Sequence, residues 1–265
     1  MVMAEATNHY FKHLGVSDGL SQVCIPSIYQ DELGAVWLGT TEGLNRYNGK
    51  DVKVFQPSES NHGLTNNEIN ELCGDKNGRM YIRSGNDLIK LDIYTEQFTC
   101  LRQKGVYGLF CKKDTLWVSC ADGIYYYTGQ GTELTFFARV QKGFVGRALY
   151  VDKETVWVVT RKYLVAISRE DPLRQEILLT LDKGNCILGD SSGNIWVGAW
   201  NGLYRISPNR ETTAYVSHSG MGELSDNQVR CVLEDDFKHI WVGTFKGLDC
   251  YDPVTDTRSH YTRYG

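Results

Sequence analysis

Five of the six tryptophans in this 265-residue chain sit in one repeating phrase. It reads Val36-Trp37-Leu38-Gly39-Thr40, Leu116-Trp117-Val118-Ser119-Cys120, Val156-Trp157-Val158-Val159-Thr160, Ile195-Trp196-Val197-Gly198-Ala199 and Ile240-Trp241-Val242-Gly243-Thr244. Met80-Tyr81-Ile82-Arg83-Ser84 is a sixth copy with tyrosine in the aromatic slot. The aromatic positions are 44, 36, 40, 39 and 45 residues apart. A period near 40 built from short β-type runs predicts an all-β chain, a β-propeller of four-stranded antiparallel blades.

The last repeat shows the grammar. Asn227 to Leu233 reads as strand a, Ile240 to Thr244 as b, Leu248 to Tyr251 as c and Thr257 to Tyr264 as d. The a–b turn recurs as D-x-x-G-x-x-aromatic from Asp31, Asp75 and Asp190. Its Asp can accept backbone N–H bonds and its Gly can take the φ > 0 that closes a short hairpin. Gly39, Gly198 and Gly243, two residues after the Trp, share its strand face and are expected to make room for a neighbouring ring. The b–c turn is Gly-Leu-like at Gly43, Gly123, Gly202 and Gly247, but not at Asn86-Asp87-Leu88 or Lys162-Tyr163-Leu164. Before strand a comes Asp18-Gly19-Leu20-Ser21, Gly63-Leu64-Thr65-Asn66 or Glu223-Leu224-Ser225-Asp226. The repeats run end to end, so residues 1–265 are read as one propeller domain. An outer strand lies at 1–14, and the blades at 19–57, 63–102, 105–140, 143–181, 184–218 and 222–265.

Hydrophobic residues make up 42% and charged residues 23%, enough apolar material for a core. A net charge of −4 without clustered Lys and Arg argues against nucleic acid and against anionic membrane as partners. No run of 18 apolar residues is present. The first residues, Met1-Val2-Met3-Ala4-Glu5-Ala6, lack the basic and apolar regions of a signal peptide, so signal peptide and membrane helix are expected to be absent from this chain.

The eight cysteines form no C-x-x-C pair and stand at no ligand spacing from a His. Cys73, Cys111, Cys186 and Cys231 occupy strand a positions that are aliphatic or Tyr in other repeats, and are expected to be buried free thiols. A turn near Lys113-Asp114 would set Cys111 opposite Leu116 and Cys120 opposite Tyr107. Histidines 9, 13, 62, 218, 239 and 260 are scattered, so no metal site and no cofactor are expected.

The phrases resemble the two-component regulator propeller family, whose repeat has the form GLS-x-N-x-V…D-x-x-G-x-[LI]-W-[IV]-G-T-x-x-GL-x-x-[YF]. Asp31 to Tyr47 and Ser225 to Tyr251 match nearly throughout and Asp190 to Tyr204 matches well, while the third and fourth copies are degenerate. Tyr10-Phe11-Lys12-His13-Leu14 before Asp18 is similar to the mature start of the periplasmic sensor in Bacteroides-type hybrid two-component systems. The resemblance implies a non-catalytic, periplasmic sensor domain that recognises an oligosaccharide or glycan fragment. It would pass that signal to a kinase module outside this chain. The alternatives are a protein-interaction scaffold without a small ligand and a propeller enzyme acting on glycans. Against the enzyme, the turn lacks the Ser or Thr that precedes the Asp by two residues in sialidase Asp-boxes; Tyr29, Cys73 and Leu188 stand there. No nucleophile elbow, H-E-x-x-H or phosphate loop occurs either.

Propellers bind partners on the face of their d–a and b–c loops, so residues there that break the repeat are the candidate ligand site. Trp200 is the one tryptophan outside the strand b slot and suits sugar stacking. Arg83 replaces the small residue beside Tyr81, Arg161-Lys162-Tyr163 replaces a glycine turn, Arg147 and Arg230 lie near the channel, and Phe245-Lys246 completes the b–c set. Arginines there would hold a carboxylated or sulfated sugar.

Six a–b–c sets and seven d-type segments are visible, the first at His9 to Leu14. A closed ring pairs an N-terminal d strand with C-terminal inner strands, yet the last repeat owns its d strand. The count predicts a seven-bladed ring that lacks one a–b–c set after Gly265. Apolar flanks on blades 1 and 6 would then face the remaining blades, a second propeller or a homodimer partner.

Overall fold

The computed structural model describes residues 13–57, 63–217 and 224–261. They form six four-stranded antiparallel sheets, each a meander of consecutive strands. Blade 1 holds β1 (Ser27–Gln30), β2 (Val36–Thr40), β3 (Gly43–Tyr47) and β4 (Val52–Phe55). Blade 2 holds β5 (Ile69–Gly74), β6 (Arg79–Ser84), β7 (Asp87–Asp92) and β8 (Gln97–Arg102). Blade 3 runs from β9 (Val106–Lys112) through β10 (Thr115–Cys120) and β11 (Gly123–Tyr127) to β12 (Thr135–Ala138). In blade 4 the strands are β13 (Gly146–Val151), β14 (Thr155–Thr160), β15 (Tyr163–Ser168) and β16 (Gln175–Thr180). Blade 5 is β17 (Cys186–Gly189), β18 (Ile195–Ala199), β19 (Gly202–Ile206) and β20 (Thr212–Tyr215). Blade 6 is β21 (Val229–Glu234), β22 (Ile240–Thr244), β23 (Leu248–Asp252) and β24 (Thr257–Tyr261). The expected all-β propeller is therefore observed. Helical structure among the described residues is confined to two 3-10 turns, Val16–Asp18 and Gln141–Gly143. The expected outer strand at His9 to Leu14 lies outside the described residues but for its last two positions.

The aromatic slot cements one blade to the next. Trp37, Tyr81, Trp117, Trp157 and Trp196 are buried, each in a cluster shared with the following blade. The Gly after the Trp serves a different purpose from the one expected. A Cβ on Gly39 would stand 2.8 Å from Ile69 Cγ2 and 2.9 Å from the Ile69 carbonyl oxygen. On Gly198 it would stand 2.5 Å from Val229 Cγ1. The space goes to the aliphatic inner strand of the next blade, not to a ring.

The pre-strand Leu-Ser phrase is a clasp. Leu20, Leu64 and Leu224 are buried. The Ser21 N–H donates to Asn45 Oδ1 at 2.9 Å, and the Ser225 N–H to Asp249 Oδ2 at 2.9 Å, so each loop is pinned to strand c of its own blade. Buried Asp249 also faces His260 Nδ1 at 2.7 Å.

Closure departs from a complete ring. Among the described residues, the six blades share five interblade cores, between blades 1–2, 2–3, 3–4, 4–5 and 5–6. Neighbouring inner strands pack closely from β1 to β5 and onward to β21, but β21 and β1 do not pack in that way. Two expectations fail at this seam. Trp241 is only half-buried, although it stacks on Tyr261 at 5.8 Å. Cys231 is exposed rather than buried, because among the described residues no further blade covers its side of β21.

The cysteines are all free, and apart from Cys120 none is fully buried. Cys111 pairs with Leu116 as expected, but a bulge between Ser119 and Cys120 puts Cys120 opposite Val106, not Tyr107. Burial pushes the Cys186 thiol up to about 12, which favours its protonated form.

Candidate functional site at the channel mouth

Strand a of every blade lines the central channel. Its mouth, on the d–a and b–c loop side, holds a polar cavity of about 800 Å³. Ser27, Asn70, Tyr107, Arg147, Asn185 and Arg230 reach it, one from each of the six blades. Arg83 and Glu71 line it from blade 2. A smaller cavity of about 270 Å³ adjoins between blades 3 and 4, lined by Tyr107, Phe144, Arg147, Arg161 and Lys162. Arg147 serves both cavities.

Three of the expected residues meet in one cluster. The Trp200 backbone N–H donates to the Asp182 carbonyl at 2.8 Å, which ties the b–c turn of blade 5 to its d–a loop. Lys183, next in that loop, takes a left-handed φ of 49° and sets its Nζ 3.4 Å from the centre of the Trp200 ring. The Arg230 guanidinium lies 5.4 Å from the same ring and 5.7 Å from that of Phe245. Asn185 Nδ2 donates to the Val229 and Arg230 carbonyls at 3.1 Å each, so blade 5 fixes the backbone that carries Arg230. Trp200 is half-buried and so more accessible than the four tryptophans within interblade cores; Phe245 is exposed. Two cations against one indole make an electropositive aromatic platform.

The other expected residues divide. Arg83 and Glu71 form an ion pair at 3.4 Å inside the channel. The Glu71 side chain is three-quarters buried beside the channel cavity. Burial there pushes its carboxyl up to about 7, against the opposing pull of the Arg83 charge and the Leu109 backbone bond. Tyr163 is half-buried, with its ring 4.9 Å from that of Phe144 and the Lys162 Nζ 5.5 Å from it, and it lines neither cavity. Thr160 Oγ1 accepts the Tyr163 N–H at 2.8 Å, shaping this turn without glycine. Lys246 points away to Asp226 at 3.4 Å. Among the described residues, Arg147, Arg161, Lys162, Lys183 and Arg230 have no carboxylate partner. Sequence reasoning missed Lys183, Tyr107, Asn185 and Glu71, since none breaks a repeat rule. The described residues contain no cluster of His, Cys, Asp or Glu suited to a metal ion.

Residues 223–246 match the family described as two-component regulator propeller. Over 53 residues the chain is 40% identical to a histidine kinase, P4, of Formosa agariphila, a stretch that is 20% of this chain and 4% of that protein. Among solved structures it is similar to two extracellular domains from B. thetaiotaomicron. One is assigned to a hybrid two-component system (21% identity, TM-score 0.70, 88% of this chain and 40% of that one). The other is assigned to a one-component system (20% identity, TM-score 0.76, 96% and 38%). It is also similar to a streptogramin B lyase (16% identity, TM-score 0.71, 92% and 85%). At such identities these likenesses describe the fold. The chain spans about two fifths of the length of the extracellular domains it matches. No helix among the described residues is long and apolar enough to cross a membrane.

Proposed function

We propose that this chain is a non-catalytic, extracytoplasmic sensor propeller of a two-component signalling protein, which binds an acidic oligosaccharide at its channel mouth and passes the signal to a kinase module. The observation that carries the reading is the platform of Trp200, Lys183 and Arg230, beside Arg147, Arg161 and Lys162. Pyranose rings stack on exposed aromatic faces, and carboxylate or sulfate groups pair with guanidinium and ammonium groups. A cavity of about 800 Å³ reached by all six blades is large enough for several sugar units. The regulator-propeller repeat and the fold of the extracellular domains supply the context for sensing and for the side of the membrane.

A thermal-shift screen against digests of neutral, uronate-rich and sulfated polysaccharides tests this. A saturable rise in Tm with an acidic digest, lost in Trp200→Ala, supports it. Cleavage of any digest by this chain would replace a sensor with an enzyme. Silence toward every glycan, with capture of a protein partner through the same face, would leave an interaction scaffold.

A further inference from the structure

One contact recurs between the inner strands of neighbouring blades. Tyr29, Cys73 and Tyr150 pair with the aromatic slot of strand b, opposite Trp37, Tyr81 and Trp157. Gly74, Cys111 and Gly189 stand one step later, in the inner strand of the blade that follows, opposite Met80, Leu116 and Ile195. The two sets meet across the blade boundary. A Cβ on Gly74 would stand 2.3 Å from the Tyr29 hydroxyl, and one on Gly189 would stand 2.0 Å from the Tyr150 ring. Between blades 2 and 3 the Tyr–Gly couple gives way to Cys–Cys, so two short side chains share the room of one long one. Both cysteines pack against the core common to these blades, and the Cys73 thiol donates a hydrogen bond to the Cys111 sulfur. Cys186 and Cys231 are arranged differently. They hold one register position in two blades, opposite Gly198 and Gly243, and each sulfur lies against that glycine of its own blade.

We propose that Cys73 and Cys111 are a modification site, which a disulfide donor converts to an interblade disulfide between β5 and β9. The step is a thiol–disulfide exchange. The Cys111 thiolate attacks one sulfur of the donor RSSR, the donor S–S bond breaks and one RS⁻ leaves. Cys73 then loses its proton and attacks the Cys111 sulfur, and the second RS⁻ leaves as the Cys73–Cys111 bond forms. Two protein thiols are oxidised, one donor disulfide is reduced, and the two protons end on the two RS⁻ groups. Cys111 attacks first, because its hydrogen bond with Cys73 and burial together hold the Cys73 thiol well above its ordinary range. The cross-link ties together the strands that carry Glu71 and Tyr107 to the channel cavity. An extracytoplasmic position, as proposed above, would supply oxidising donors, but the exchange itself does not depend on that reading.

The test incubates the folded, reduced 265-residue chain with oxidised glutathione, caps the remaining thiols in denaturant with iodoacetamide and maps the peptides without reduction. The expected product is a peptide pair joined through Cys73 and Cys111, with Cys186 and Cys231 capped. The linked chain should melt about 5 °C or more above the reduced one. In Cys73→Ser, glutathione should stay on Cys111, since no second thiol displaces it. In Cys111→Ser, Cys73 should react about tenfold or more slowly than Cys111 does. If either variant fails to fold, the map of the unmutated chain still decides. Four results there overturn the proposal: Cys73 and Cys111 both capped after oxidation, a lasting glutathione adduct on Cys111 beside a free Cys73, a link from either cysteine to a different one, or a linked chain that melts below the reduced one.

Discussion

The indole Nε1 of Trp37 donates a 2.8 Å hydrogen bond to Oδ2 of Asp31, whose other oxygen accepts the backbone N–H groups of Leu33 and Ala35. One carboxylate thus closes the a–b turn and fixes the rotamer of the aromatic that fills the core with the next blade. The pair recurs as Asp152–Trp157 at 2.6 Å, Asp190–Trp196 at 2.8 Å and Asp235–Trp241 at 2.8 Å. In blade 2 Tyr81 takes the slot and cannot reach back, and Arg79 claims the Asp75 carboxylate instead.

Asp31→Ala is expected to lower stability by roughly 2–4 kcal/mol, since it removes three bonds to a buried charged acceptor and orphans the indole donor. Urea denaturation measures it. Asp114→Ala, on the third blade's exposed turn, is expected to change stability by less than about 0.5 kcal/mol. Equal effects would show that the turn bonds do not organise the aromatic.

The Asp–Trp relationship also marks how far the fold was legible. The Trp phrase, the Asp-to-Trp spacing and the Gly-Leu turns announce blades because each residue type answers a local backbone demand. Asp152 escaped the D-x-x-G pattern because its turn is one residue shorter, yet it makes the same bond. Interblade geometry was less legible. Gly39 faces Ile69, 30 positions away, and no local pattern reports such a distance. The site was legible where a residue broke the repeat, as at Trp200 and Arg83, and invisible at Lys183, whose role comes from a left-handed backbone that places it over Trp200.

Gly39→Ala is expected to cost about 1–3 kcal/mol, because the new methyl would strike the Ile69 backbone of the next blade. At Gly243 a Cβ would meet only Cys231 of its own blade, so Gly243→Ala should cost less than about 1 kcal/mol. Chemical denaturation of the two variants compares an intact interblade contact with one at the seam.

Glu71 predicts an unusual pH dependence. Its folded-state value near 7 lies above the ordinary 4.5, so the folded state favours the protonated acid. Its contribution to stability is largest below about pH 4.5 and falls as pH rises through 7, by about 3 kcal/mol in total. Glu71→Gln should flatten this part of the stability curve and stabilise the protein at pH 7.5. Denaturation midpoints at pH 5 and 7.5 measure it, and an unchanged slope would place the carboxyl in ordinary solvent.

The sensing account is tested most directly by isothermal titration of the 265-residue chain with size-matched neutral, uronate-containing and sulfated oligosaccharides. It predicts saturable one-to-one binding of an acidic oligosaccharide, weakened about tenfold or more by Arg230→Ala and by Trp200→Ala. Lys246→Ala, whose side chain turns to Asp226, should leave the affinity unchanged. Equal affinity for the neutral oligosaccharides, or acidic binding that survives both Arg230→Ala and Trp200→Ala, would contradict it.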